Sequence, residues 1–261
     1  PQNSSDLAGI DTTIASGYNI IGGTGMQKTI YFLLILLFQF QSIALSQLFF
    51  HRENEPSNIK WRQIKTDHFL IVFSEGIEAK GQDIANIMEF YYRKLKNSMS
   101  VPSHHDRRFK ILLSNAGVLS NGYVSYGPKM SEWYLTPPGG YFNATNHWTD
   151  LLAIHEGRHM IQFEKISQLG FPKWMGWLLG DIGRGFFSAI TAPNWFYEGD
   201  AVGMETVFDP SGRGHHPSFY RELRALALSG QFPKYHQAIL GSRAKKLPNH
   251  YVIGYFFTSF I

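Results

Sequence analysis

The stretch Leu151-Leu152-Ala153-Ile154-His155-Glu156-Gly157-Arg158-His159-Met160-Ile161-Gln162-Phe163 decides how the chain is read. Two histidines four residues apart share one face of a helix, so both imidazoles aim at a single point. Glu156 neighbours His155 and is offset around the helix, so it reaches beside that point and not to it. Apolar residues enclose these polar ones, and a helix of that kind is expected to be buried. Two histidines and a glutamate removed from water need a partner, and a divalent metal is the economical one. H-E-x-x-H on a helix is a zinc-hydrolase pattern: the histidines bind the ion and the glutamate serves as base. The plainer reading of the same residues is a surface helix with two solvated histidines.

A zinc site of this type requires a third protein ligand and keeps a fourth position open for water. A continuation with Gly at 162 and His at 165 would supply the ligand, but those positions hold Gln162 and Lys165. Glu198, within Pro193-Asn194-Trp195-Phe196-Tyr197-Glu198-Gly199-Asp200-Ala201, is the next choice. Trp195 and Ala201 flank it at i−3 and i+3 and are expected to seat its helix on the core. Gly199 and Ala201 are small enough to let that helix approach the first one closely. Glu205, at i+7 from Glu198, is a reserve ligand. Asp200 is a candidate for orienting one of the histidines, as carboxylates commonly do, with Arg158 placed beside the site or at the surface. His215 and His216 sit in a Gly/Pro-rich loop and are expected to be exposed.

H-E-x-x-H followed by W-x-x-E-G-x-A resembles the gluzincin clan of zinc metallopeptidases, the aminopeptidase-N-like family among them. It is more closely similar to the exported bacterial peptidase MA-like domains that often precede a β-propeller. The opening Trp61…Thr66-Asp67-His68-Phe69-Leu70-Ile71-Val72-Phe73, with a long helix after it, is also similar to those domains, and the resemblance spans roughly residues 58–261. It implies Zn2+ held by His155, His159 and Glu198, Glu156 as the catalytic base, a peptide or protein substrate, and a β-propeller further along the natural chain. It adds one residue: in the aminopeptidase-N-like family a Tyr-x-x-Gly at the start of a later helix gives a phenol to the oxyanion, and Tyr251-Val252-Ile253-Gly254 matches. The G-x-M-E-N strand motif with which that family binds a free substrate amine is absent before His155, which argues against aminopeptidase specificity. The strand Met130–Thr136 is expected to pair with an extended substrate, as edge strands do. The rival reading is a non-catalytic scaffold domain at the cell envelope that keeps the fold, and Glu156 counts against it.

Outward from this core, the pattern is strands first and helices after. Trp61 to Phe73 reads as a buried strand around the run Phe69–Phe73, and Ile84, Ile87, Met88, Tyr91 and Leu95 fall at helical spacing. Lys110–Leu113, Tyr123–Tyr126 and Met130–Thr136 read as strands, the last two separated by Gly127-Pro128. Helices are predicted over about 149–166, 173–190, 195–207, 217–229 and 249–261. The fold class is therefore α+β: a small mixed or antiparallel sheet followed by a helical, zincin-type catalytic part. Trp174, Trp177, Leu178, Ile182, Phe186 and Phe187 in the second helix read most simply as core. A sharper reading is an apolar patch that contacts a membrane surface or a partner.

The 261 residues include no cysteine and 11 histidines, so disulfides and thiolate metal sites are excluded and any ion falls to histidine and carboxylate. A net charge of +4 with scattered Lys and Arg argues against a nucleic-acid partner. Met26-Gln27-Lys28, the apolar run Ile30–Phe38 and Ala44-Leu45-Ser46 form a signal peptide over 26–46, so the protein is expected to be exported to the periplasm or secreted. The alternatives there are a buried helix or an uncleaved anchor. Residues 1–25 read as a non-native or untranslated leader. Residues 47–261 are then one metallopeptidase-like domain, expected to continue past an apolar helical run that ends without a stop signal.

Overall fold

Alternation in Phe69-Leu70-Ile71-Val72-Phe73 sends Phe69, Ile71 and Phe73 fully inside and leaves Leu70 and Val72 half-buried. A computed structural model describes residues 29–33, 55–101, 107–139, 148–241 and 246–260. Residues from Glu55 onward form one compact unit. Of the expected signal peptide, only 29–33 falls among the described residues, and it is helical. Its cleavage site and residues 1–25 lie outside them.

The segment expected as one strand from Trp61 to Phe73 is a hairpin. β1 (Trp61–Lys65) and β2 (Phe69–Ser74) pair antiparallel, Ile64 opposite Ile71. The turn is held by Thr66, whose Oγ1 accepts from the Phe69 amide at 3.0 Å while its amide donates to the Phe69 carbonyl at 3.0 Å. Polar Thr66-Asp67-His68 interrupts the period-2 pattern, which is the local signal for the turn. Helix α1 (Glu78–Ser98) then crosses to β3 (Phe109–Ser114), parallel to β2. β4 (Gly122–Tyr126) and β5 (Lys129–Tyr134) form a second hairpin whose later strand pairs parallel with β3. The order is β1-β2-β3-β5-β4. Strand β5 is thus interior, and the edge expected at Met130–Thr136 belongs to β4.

Six helices follow: α2 (Trp148–Ser167), α3 (Gly170–Thr191), α4 (Asn194–Phe208), α5 (Arg221–Leu228), α6 (Tyr235–Leu240) and α7 (His250–Phe260), with a 3-10 turn at Arg213–His215. The α+β class holds, with one βαβ unit inside the sheet. The main core lies between the sheet and helices α1 and α2, where Phe69, Ile71, Ile111, Leu113 and Trp133 meet Ile84, Met88, Leu95, Ile154, Met160 and Ile161. That contact fixes which way α2 turns its polar residues.

Candidate metal centre

Every residue of α2 from Leu151 to Gln162 is buried, polar ones included. Each polar side chain there therefore needs a partner. His155 Nε2 lies 3.1 Å from Glu198 Oε2 and 3.2 Å from His159 Nε2, and His159 Nε2 lies 3.5 Å from the same carboxylate oxygen. Ligands placed tetrahedrally at about 2.0–2.1 Å from an ion such as zinc stand about 3.3–3.4 Å apart, so the three atoms match one face of that tetrahedron. These three residues form a group able to hold a metal ion. Helix α2 supplies two of these atoms and α4 the third, so the three residues singled out in the sequence are brought together.

The far nitrogen of each imidazole is engaged. His155 Nδ1 lies 2.5 Å from Glu205 Oε1, and His159 Nδ1 lies 2.8 Å from Gln162 Oε1. With Nδ1 donating to those oxygens, each Nε2 keeps its lone pair for the common point. A carboxylate oxygen and two nitrogen lone pairs so close together call for a cation. Without a metal, a proton on His155 takes that part: burial works to lower its pKa, but the bonds to Glu198 and Glu205 outweigh burial and raise it to about 9. Burial likewise opposes ionisation of Glu198, yet its bonds to His155 and His159 hold it below the usual carboxylate range.

Glu205 is not an alternative ligand. Two helical turns from Glu198, it meets the other side of the His155 ring. It is fully buried, and Arg213 grips it: Nε donates to Oε2 at 2.7 Å and Nη2 donates to Oε1. Burial would raise the Glu205 pKa, but the Arg213 charge brings it down to about 2. Asp200 does not touch a candidate ligand. It accepts from Gln162 Nε2 at 2.6 Å and forms a two-bond pair with Arg158 at 2.6 and 2.8 Å, so it orients His159 only through Gln162. Arg158 also donates to Ser98 Oγ at 2.7 Å, which ties α2 to α1. His215 Nε2 and His216 Nε2 contact the Thr206 and Ser211 carbonyl oxygens, away from the centre.

Glu156 faces a cleft of about 550 Å3 that opens on His155, Tyr251 and Arg213 and is bounded by Asn121 and Gly122 at the start of the edge strand β4. The Glu156 carboxylate has no hydrogen-bond partner among the described residues, and burial, partly offset by the two histidines, raises its pKa. The Tyr251 ring lies 6.1 Å from that of His155, with the Arg213 guanidinium 4.9 Å from its centre. Burial, then the Glu198 charge, raises its pKa to about 12, so the phenol keeps its proton at neutral pH.

Two glycines bring Tyr251 there. A Cβ on Gly199 would fall 2.1 Å from the Gly254 carbonyl carbon, and one on Gly254 would fall 2.1 Å from the Trp195 carbonyl oxygen. Gly199 therefore serves contact with α7 and not, as expected, with α2. Trp195 follows the same side, with ring contacts to Tyr235 and Phe257. Gln162 and Arg213 are the functional neighbours that sequence reasoning misses. Gln162 has a signal, since it stands at i+3 from His159 on a buried helix. Arg213 lies in a Gly-Arg-Gly loop with no periodicity to place it.

Comparison of the chain with protein-family models, with curated proteins and with solved structures finds no match. The functional reading therefore rests on the geometry of the site.

Proposed function

We propose that this protein is a zinc-dependent peptidase that hydrolyses a peptide bond in the cleft between β4 and α7, with His155, His159 and Glu198 as ligands and Glu156 as general base. The observation that carries the reading is the triangle of Nε2, Nε2 and Oε2 atoms beside a buried carboxylate that belongs to none of its corners. Two imidazoles and one carboxylate suit zinc and leave a corner free. Zinc bound there supplies Lewis acidity to a carbonyl oxygen and lowers the pKa of water.

The rest falls to the chain's own groups. Glu156, unpartnered among the described residues and with a raised pKa, takes the proton of the attacking water and hands it to the leaving amine nitrogen. Tyr251, protonated at neutral pH, donates to the oxyanion. Glu205 and Gln162 hold the imidazoles in one tautomer and orientation. Among the described residues β4 is the outer strand of the sheet, and an edge of that kind can take up an extended peptide. Export to the periplasm or the exterior belongs to the same reading and rests on the segment Met26–Ser46.

The test is zinc content measured beside cleavage of a diverse peptide library, for the parent and Glu156→Gln. The reading expects about one zinc per chain in both proteins and cleavage by the parent alone. A parent that holds zinc and cleaves nothing would make the domain a scaffold.

A further inference from the structure

Helix α3 is not the core helix that its composition suggests. Gly180 at φ 62°, ψ −141° breaks it into two arms, a left-handed backbone that glycine adopts without strain. The arms fold back on each other: the Phe171 and Phe187 rings meet at 5.0 Å, and a Cβ on Gly183 would come within 2.6 Å of the Met175 carbonyl oxygen. In one continuous helix residues 171 and 187 would stand about 24 Å apart. The turn of this hairpin is apolar and open to solvent. Trp177 is 79% exposed, Leu178 54%, Leu179 39% and Ile182 57%, with Trp174 at 52% on the arm below. None of these residues lines either of the two principal clefts.

The charges around this apolar tip are mostly cationic. Asp181 is the hairpin's only acidic residue, and it is answered twice, by Arg107 Nη2 at 2.5 Å and Arg184 Nη1 at 3.8 Å. Arg107 is 58% exposed, Lys173 on the first arm is exposed, and Lys129 reaches the Arg107 carbonyl oxygen at 3.3 Å. The tip is thus a tryptophan-bearing apolar turn with a cationic collar.

We propose that the α3 hairpin docks the domain on an anionic lipid bilayer, with Trp177 to Ile182 entering the interface and Arg107, Lys173 and Arg184 meeting headgroup phosphates. Tryptophan favours the interface because its ring is apolar and its N–H stays wet. Collar cations are attracted by anionic headgroups. The depth fits: interfacial elements sink about 5–10 Å, which takes up the turn and leaves the arms outside. No helix among the described residues is long and apolar enough to cross a membrane; the contact proposed for the hairpin is a peripheral one. The turn rests on Gly127 through the backbone of Asp181 and Ile182 and keeps its outer, tryptophan-bearing side open. A convex apolar side suits a fluid surface, whereas a protein partner would require a groove of its own to receive it. The inference does not depend on the chemistry assigned to the cleft.

The experiment uses the full, zinc-loaded chain with vesicles of phosphatidylcholine alone or mixed with phosphatidylglycerol. Co-sedimentation and quenching of tryptophan fluorescence by acyl-chain bromines are both read. The parent is expected to pellet with the mixed vesicles, to be quenched, and to be released by salt. Trp177→Asp and Trp177→Ser should lower binding by about tenfold or more, and Lys173→Glu should weaken it on mixed vesicles only. Because Trp177 is exposed, all variants should keep the parent's zinc content and thermal midpoint. No pelleting with either vesicle overturns the proposal, as does Trp177→Asp binding like the parent. Self-association lost in Trp177→Asp, without vesicle binding by the parent, also overturns it and assigns the tip to a protein interface.

Discussion

Helices α2 and α3 are neighbours in the chain with opposite relations to water. α2 carries two histidines, two glutamates, an arginine and a glutamine into the interior. α3 carries two tryptophans, two leucines, two isoleucines and two phenylalanines out to solvent. In α2 almost every buried polar group is answered: Arg158 by Asp200, Gln162 by Asp200 and the Tyr197 carbonyl oxygen, Glu164 by the Tyr92 hydroxyl at 3.0 Å. The exceptions, among the described residues, are the two Nε2 atoms with nothing but each other and Glu198, and the Glu156 carboxylate with no partner. In α3 the single acidic group, Asp181, is answered by two arginines, and the apolar groups at the turn are not covered. The lesson is that the unanswered remainder is where a partner is to be sought, and its chemical kind is what the two proposals rest on: a cation and a substrate in one case, a lipid surface in the other.

The comparison breaks most sharply at Glu156. Glu156→Gln should leave zinc bound and cost about 10²–10⁴-fold in turnover, read as kcat with zinc measured by elemental analysis. If zinc leaves with the charge, Glu156 belongs to the ion and the contrast between answered and unanswered groups fails. Next is the packing that holds the site together. Gly254→Ala must part α7 from α4 and should cost about 3 kcal/mol, the upper part of the overpacking range, in a denaturant melt. A melt unchanged from the parent would mean the helices are not in backbone contact.

Glu205→Gln should weaken zinc by about 10–100-fold, because it unsettles His155 and strands Arg213. Competition with a chelator reads that loss, and an unchanged affinity would return Glu205 to the role of bystander. The pH dependence is a smaller effect per unit. In metal-free protein the pKa of His155 is raised from 6.5 to about 9, so the stability that its proton confers is full below 6.5 and is lost as pH rises through about 9. Zinc must displace that proton, so zinc affinity should rise by up to about tenfold per pH unit across the same window and level off above it. A flat affinity there would show His155 to be neutral without metal. The smallest effect lies on α3: Trp177→Ser should shift stability by no more than about 0.5 kcal/mol, as surface changes do. A larger loss would return the hairpin to the core and remove the contrast.

Much of this is legible in the order of the residues. The α2 span of 148–167 lies within a residue at each end of the 149–166 read from periodicity, because a long apolar run with helical spacing has no competing pattern. Glu198 is reachable because its flanking Trp195, Gly199 and Ala201 stand at fixed steps on one helix. Less legible is which surface each of those steps faces. Gly199 and Trp195 look toward α7, a helix that begins 42 residues beyond α4, and no local pattern carries that distance. The hairpin in α3 is hidden for another reason. Glycine within an apolar helical run reads as close packing, and only the backbone reveals that Gly180 turns the chain. The β1–β2 turn escapes notice because three polar residues between two strands are absorbed into one long strand.

The contact of Gly199 with Gly254 has a consequence for anyone who would alter what the cleft accepts. Backbone rests on backbone there, so the spacing between Glu198 and Tyr251 is set by main-chain atoms and not by the rotamers of intervening side chains. The walls at Asn121, Ser218 and Arg221 belong to other segments. They can be exchanged as tooling is exchanged on a machine whose bed stays level, with the working parts still in alignment afterwards.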